Sequence, residues 1–259
     1  MRPMWSGSLS FGLVNIPVRL YTATQTTRPD LDLLHRNDFS RIRYAKVCKY
    51  EGVEVPEEEI VRGAEQEDGQ YVVLENDELA SINRARSKTL EILGFVDQEQ
   101  IDSIYFEKPY YLEPDKGAVK AYSLLTETMR KANRNAIVRY VLRNREHIGV
   151  IKARGNLLVL NQLRFNEEIR EPADLNLPED AQADEQELSL ANTLIEKLAT
   201  EFKPESYRDN YADQLNQLIA NKAAGRVPIE EGEEPEPTSV VDLMETLRKS
   251  LEQEAEKAA

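Results

Sequence analysis

Residues 6–21, SGSLSFGLVNIPVRLY, alternate apolar and polar positions, with one break in phase. Leu9, Phe11 and Leu13 share one parity, whereas Ile16, Val18 and Leu20 share the other. A period of two marks a strand with one buried face. The phase switch at Asn15 predicts a bulge or tight bend there, with Pro17 at an edge or irregular position. Residues 22–38 read as a loop and 39–50 as short basic strands. Within 51–115, strands are expected at 71–74, 89–95 and 103–112. After Pro114 and Asp115 the period changes: Val119, Tyr122, Leu125, Met129 and Ala132 recur every three or four residues and predict a helix. Three strands follow at 136–143, 148–154 and 157–165, and the intervening NREH and ARGN suit antiparallel neighbours. Beyond Pro172 the pattern is helical. Leu188, Ala191, Ile195, Leu198 and Phe202 mark one amphipathic helix. Tyr211, Leu215, Leu218, Ile219 and Lys222 mark another, stopped by Gly225 and Pro228. Residues 228–238, PIEEGEEPEPT, form an acidic, proline-rich linker with nothing to pack. A last short helix is expected at 239–254.

Charge sharpens this division. The chain of 259 residues has a net charge of −14. Residues 1–170 hold 25 basic and 25 acidic side chains, and residues 171–259 hold 8 and 22, so the whole excess lies in the second part. Residues 51–115 are acidic, with 5 basic against 18 acidic, whereas residues 116–170 carry 12 basic and 4 acidic, a net +8. Such a molecule is no general polyanion binder. It presents a local cationic surface while the remainder stays soluble and repels stray nucleic acid.

Hydrophobic residues make up 41%, enough for a real core, and no run approaches the ~18 apolar residues that span a bilayer. The first residues enter a strand pattern without the apolar stretch of a signal peptide, so a cytoplasmic, nucleoid-associated location and no membrane partner are expected. A single cysteine, Cys48, excludes an intrachain disulfide and a multi-cysteine zinc site. With His35 and His147 the only histidines, zinc chemistry is not expected.

The chemistry concentrates in the basic segment. On a strand over 137–145, Val138, Tyr140 and Leu142 take one face, while Ile137, Arg139, Val141, Arg143 and Arg145 take the other. Lys152 and Arg154 share a face with Val150, and Arg164 ends the third strand. Residues two apart on a strand lie ~6.6–6.8 Å apart, so basic heads follow a polyphosphate at regular intervals, and arginine forks onto phosphate. A solvated sheet face also carries charge, but normally of both signs. The candidate DNA-binding residues are Arg130, Lys131, Arg134, Arg139, Arg143, Arg145, Lys152, Arg154 and Arg164. No zinc finger, helix-turn-helix or aromatic RNP strand accompanies them. Tyr105, Phe106, Tyr110 and Tyr111 either stack on bases or pack within a sheet. Phosphate contact without base readout gives sequence-independent binding.

The blocks WSGSLSFGLVNIPVRLY at 5–21, IRYAKVC at 42–48, YVVLENDEL at 71–79, IYFEKPYYLEPDKGAVKAYSLL at 104–125, VLRNREHIGVI at 141–151 and VVDLMETLRKSL at 240–251 run through the chain in order. Together they resemble the bacterial Ku proteins of non-homologous end joining. The resemblance implies an α+β fold: a Ku-type antiparallel β-barrel core with a bridge or arm, two subunits forming a DNA-encircling homodimeric ring, and C-terminal helices. It divides the chain into a core at 1–172 with its basic bridge segment at 116–170, a helical arm at 173–227, and a linker with terminal helix at 228–259. It implies double-stranded DNA ends, a second copy and the ATP-dependent DNA ligase D as partners, with no cofactor, no metal and no catalytic residue. Val240, Leu243, Met244, Leu247 and Leu251 form an apolar stripe suited to a partner's groove, which the resemblance assigns to the ligase. Where many relatives end in a lysine-rich tail, this chain ends SLEQEAEKAA, so it resembles the short-tailed members. Some relatives also have several cysteines near 42–60, where only Cys48 stands here.

Two other classes remain in view. A metal-dependent nuclease requires converging carboxylates, whereas the acidic residues here run consecutively, as at Glu57, Glu58 and Glu59 or Glu230, Glu231, Glu233 and Glu234. His147 beside Glu146 has no nucleophile placed to work with it, and His35 follows an apolar run. A scaffold that never meets nucleic acid leaves the net +8 unexplained.

Overall fold

The computed structural model describes residues 1–82, 88–176 and 184–225. They group into two compact units, one of Met1–Thr26 with Asp32–Pro172, the other of Thr27–Leu31 with the chain from Ala173 on.

The first unit opens with strands β1 (Trp5–Phe11) and β2 (Val14–Thr22), paired antiparallel with Leu9 opposite Ile16 and Phe11 opposite Val14. The expected bulge at Asn15 is in fact a complete reversal at Gly12 and Leu13, with Gly12 at φ 57°. Glycine reaches that left-handed region at no steric cost. The reversal explains the change of parity, because Leu9, Ile16, Val18 and Leu20 all meet in one core. Pro17 lies within β2 opposite Ser8.

Between β2 and the strand over Thr89–Val96 the chain makes a long excursion. It carries β3 (Arg62–Glu65) and β4 (Tyr71–Leu74), paired as a two-stranded sheet, and helix α1 (Asn76–Ile82). The expected strands at 39–50 are absent: only the isolated bridges Leu34 with Arg41 and Val47 with Glu54 form among the described residues. No residue in this stretch whose exposure is described is buried, so no core enforces a strand there.

The chain then enters β5 (Thr89–Val96), β6 (Phe106–Pro114), helix α2 (Val119–Ala132), β7 (Asn135–Leu142), β8 (Arg145–Arg154) and β9 (Leu157–Leu163). Seven strands close into a barrel in the order β1-β2-β6-β9-β8-β7-β5. All neighbours are antiparallel except the closing seam, where Ser8–Ser10 run parallel to Thr89–Glu91. Residues 116–170, the basic segment, thus supply α2 and three barrel strands.

Leu9, Val18, Leu90, Leu112, Val138, Ile151, Leu158 and Leu160 fill the core, and α2 adds Tyr122, Leu125 and Met129 to it. The Tyr122 hydroxyl donates to the Leu112 carbonyl at 2.7 Å and accepts from the Leu158 N–H at 2.7 Å. Leu112 and Leu158 are the last registered pair of β6 and β9. One phenol therefore stitches the helix to the ladder where pairing ends. Burial raises the Tyr122 pKa, and the Leu158 N–H only partly opposes it, so the hydroxyl stays protonated and able to donate.

The second unit contains α3 (Glu185–Leu198) and α4 (Asn210–Ala223). Both match helices expected from the pattern, although Phe202 lies beyond the end of α3 and stacks on Tyr207 at 5.5 Å. The Asp209 carboxylate caps α4 by accepting from the Ala212 N–H at 3.1 Å, and it also accepts from Arg28 Nε at 2.9 Å. The linker and the expected terminal helix, including Val240, Leu243, Met244, Leu247 and Leu251, fall outside the described residues.

Candidate nucleic-acid interface

The basic residues sort by the strand hairpin that carries them. β7 and β8 pair from Ala136 opposite Ile151 to Leu142 opposite Arg145. Arg143 and Asn144 form the turn between them, both left-handed at φ 53° and 61°. Two successive positive φ angles are the primed geometry whose twist matches that of flanking strands. The turn corrects the expectation that Arg139, Arg143 and Arg145 share one face. A count of alternating residues does not carry across a reversal. Arg139 lies with Ile137 on the side opposite the core residues Val138, Tyr140 and Leu142. Arg143 is at the turn, and Arg145 falls on the core-facing parity at the open end of the barrel.

Lys152 and Arg154 alternate with the core residue Ile151 and so lie on the outer face. Arg139 is opposite Ile148, which puts Lys152 four positions further along the same face, about 13 Å at ~3.3 Å per residue. Arg154 follows two residues on.

Counter-charges decide which of these cations remain available. Arg130 and Lys131 share Glu127, at 2.6 and 3.3 Å. The hydrogen bond from Arg130, then that from Lys131, holds the Glu127 carboxyl below its ordinary pKa. Arg134 pairs with Asp97 at 2.7 Å, and Arg139 faces Glu146 at 3.7 Å. The Arg164 guanidinium donates to the Phe106 carbonyl at 2.8 Å and, more weakly, to that of Ile104 at 3.4 Å, which ties it to the barrel. Among the described residues, Arg143, Arg145, Lys152 and Arg154 make no ion pair. The nine candidates therefore divide into five held by neighbours and four open to a phosphate.

A polar network supports the hairpin from inside. Gln162 donates to Glu107 at 2.7 Å and accepts from the hydroxyls of Tyr140 and Tyr110 at 3.3 and 3.5 Å. His147, opposite Tyr140 in the register, stacks on its ring at 5.4 Å. Burial, then Tyr110 and Glu107, pushes the Tyr140 phenol far above its ordinary pKa. Burial also raises Tyr110, against the field of Arg143. Tyr110 is buried and closed to base stacking, Tyr105 donates to Asn166 at 2.9 Å, and Phe106 is half-exposed. The one sequence signal for this network is Gln162, a polar residue in the core parity of Leu158 and Leu160.

Among the described residues, no group of three or more His, Cys, Asp or Glu is gathered to hold a metal ion. Glu57, Glu58 and Glu59 form an exposed 3-10 turn, with Glu57 paired to Lys46. His35 Nδ1 lies 3.0 Å from Asp38. No described helix is long and apolar enough to cross a membrane.

A closed seven-stranded barrel with a helix built into its core and open cations on one hairpin defines a barrel protein with a polyanion-directed surface. The Ku70/Ku80 beta-barrel domain matches residues 10–190. The non-homologous end joining protein Ku of Leifsonia xyli is 41% identical over 100% of this chain and 91% of its own. That of Opitutus terrae is 38% identical over 98% and 92%. The chain is also 41% identical to the protein of that name in Frankia casuarinae, over 97% of this chain, and spans 63% of that longer relative. This chain belongs to the bacterial Ku family.

Proposed function

We propose that the chain is a non-catalytic, sequence-independent binder of double-stranded DNA ends in bacterial non-homologous end joining. In this reading a homodimer rings the duplex end and recruits DNA ligase D. Full-length similarity to relatives named for that process supports the process itself. The observation that carries the DNA reading is the set of four cations without ion pairs, Arg143, Arg145, Lys152 and Arg154, on one hairpin of a chain of net charge −14. Arginine and lysine heads along a strand face answer the repeat of a phosphate backbone, and phosphate carries no sequence information. The apolar stripe Val240, Leu243, Met244, Leu247 and Leu251 is the proposed ligase contact, on its sequence pattern alone. A cytoplasmic, nucleoid-associated location follows from the proposed substrate. The nuclease alternative lacks support from Glu57–Glu59, which are exposed on a single turn.

The test is competition between topologies. A plasmid cut once should displace a labelled short duplex from the protein far better than the same plasmid closed. Equal competition by the closed circle overturns the ring.

A further inference from the structure

The β1–β2 turn carries a projection and a hollow side by side. Leu13 at the tip is 102% exposed, a fully solvated leucine on a turn bent by Gly12. Beside it lies a cavity of about 460 Å³ between the hairpin, β5 and the outer side of α2. Phe11, Val14, Phe95, Leu124 and Met129 help to line it, with Phe11 edge-on to Phe95 at 5.6 Å. Leu124 remains 69% exposed on the helix wall. Its single charged lining group, Arg134, is paired with Asp97 at 2.7 Å.

Apolar surface concentrated in this way marks a docking site. The chemistry disfavours other occupants. A phosphate backbone finds no open cation there, and a small-molecule site needs several convergent polar groups, where this one offers Thr128 and an already paired Arg134. A second copy fits. A two-fold interface brings identical patches together, so each patch must complement itself. A neutral face does not repel its own image, and a knob next to a hole gives two equivalent insertions.

We infer that this face is an interface between two copies of the chain, with Leu13 of each entering the other's hollow beside Leu124. The inference rests on the proposed homodimer and specifies where it closes. The two insertions form the dry centre of the interface, and the surrounding surface completes the area of ~800 Å² per partner that stable dimers need.

The test is sedimentation equilibrium of the full chain without DNA. Leu13→Glu and Leu124→Glu alter exposed positions, and circular dichroism checks that each variant folds. Each should raise the dimer dissociation constant at least tenfold. Mixing Leu13→Glu with Leu124→Lys should restore a mixed dimer, because the new charges then meet across the interface. A dimer unchanged in both single variants overturns this inference and leaves the homodimer standing, closed elsewhere. A wild-type chain that stays monomeric at 100-fold higher concentration than DNA binding requires overturns both. Deletion of residues 228–259 that strengthens dimerisation makes the terminal segment the hollow's occupant, and also overturns the inference.

Discussion

Tyr122→Phe isolates the bond that joins α2 to the barrel. The ring and its packing remain; only the hydroxyl goes. With it go a hydrogen bond to the Leu112 carbonyl and one from the Leu158 N–H, both 2.7 Å and both buried. The Leu158 N–H is left without its acceptor in the core. An unsatisfied buried donor costs ~1–3 kcal/mol, and the net value of one hydrogen bond is ~1 kcal/mol. Together they point to a destabilisation of about 2–3 kcal/mol. For a domain of this size each kcal/mol lowers Tm by ~2–4 °C, so a fall of about 5–10 °C is expected. Urea unfolding followed by circular dichroism measures it, and hydrogen exchange at the Leu158 amide should speed up more than at Ile151. Leu124→Ala, on the exposed side of the same helix, is the control and should stay within ~0.5 kcal/mol. A Tyr122→Phe effect inside that same margin would refute the idea that the phenol stitches helix to ladder.

Replacing Arg143, Arg145, Lys152 and Arg154 together by Ala should flatten the slope of log K against log salt by ~0.9 for each phosphate left without its cation. Replacing Arg130, Lys131, Arg134 and Arg164 together should change it less, because those cations already have partners; gel shift at a series of salt concentrations compares the sets. Gly149→Ala places a methyl 2.8 Å from Leu160 Cδ1 and 2.9 Å from the Asn161 carbonyl, an overpacking expected to cost ~1–3 kcal/mol, measured by urea unfolding. The Asp209 carboxyl is held below its ordinary pKa by Arg28 first, then by the Ala212 N–H. Its contribution to α4 is therefore complete above the ordinary aspartate value of ~3.9 and is lost as the pH falls through the lowered folded value. Asp209→Asn should weaken protection of the 210–213 amides at neutral pH, and exchange there should approach the wild-type rate below that window. Truncation after Pro228 removes 3 basic and 10 acidic residues. DNA affinity should hold or rise, most visibly at low salt, while stimulation of the partner ligase falls; a ligation assay that stays at full stimulation places the ligase contact on the core.

Local pattern alone identified α2, the hairpins of β7, β8 and β9, and both helices of the second unit. In those segments the period of apolar residues reports one buried face, and that signal lies within a few neighbours along the chain. The sequence blocks at 5–21, 104–125 and 141–151 likewise identified the family, and the surplus of base over acid in 116–170 located the polyanion surface. The β1–β2 hairpin shows where this reading stops. A bulge and a two-residue reversal both shift parity, and only the pairing of Leu9 with Ile16 tells them apart. The closing seam of Ser8–Ser10 with Thr89–Glu91 joins segments about eighty positions apart, which no local period records. Charge behaves the same way. Arg134 and Arg154 look alike in the sequence, yet Asp97 holds one and no described carboxylate pairs with the other. Sequence sets how many charges a segment carries. Folding sets the distance between them, and over a few ångströms that distance decides which cations are left for a partner.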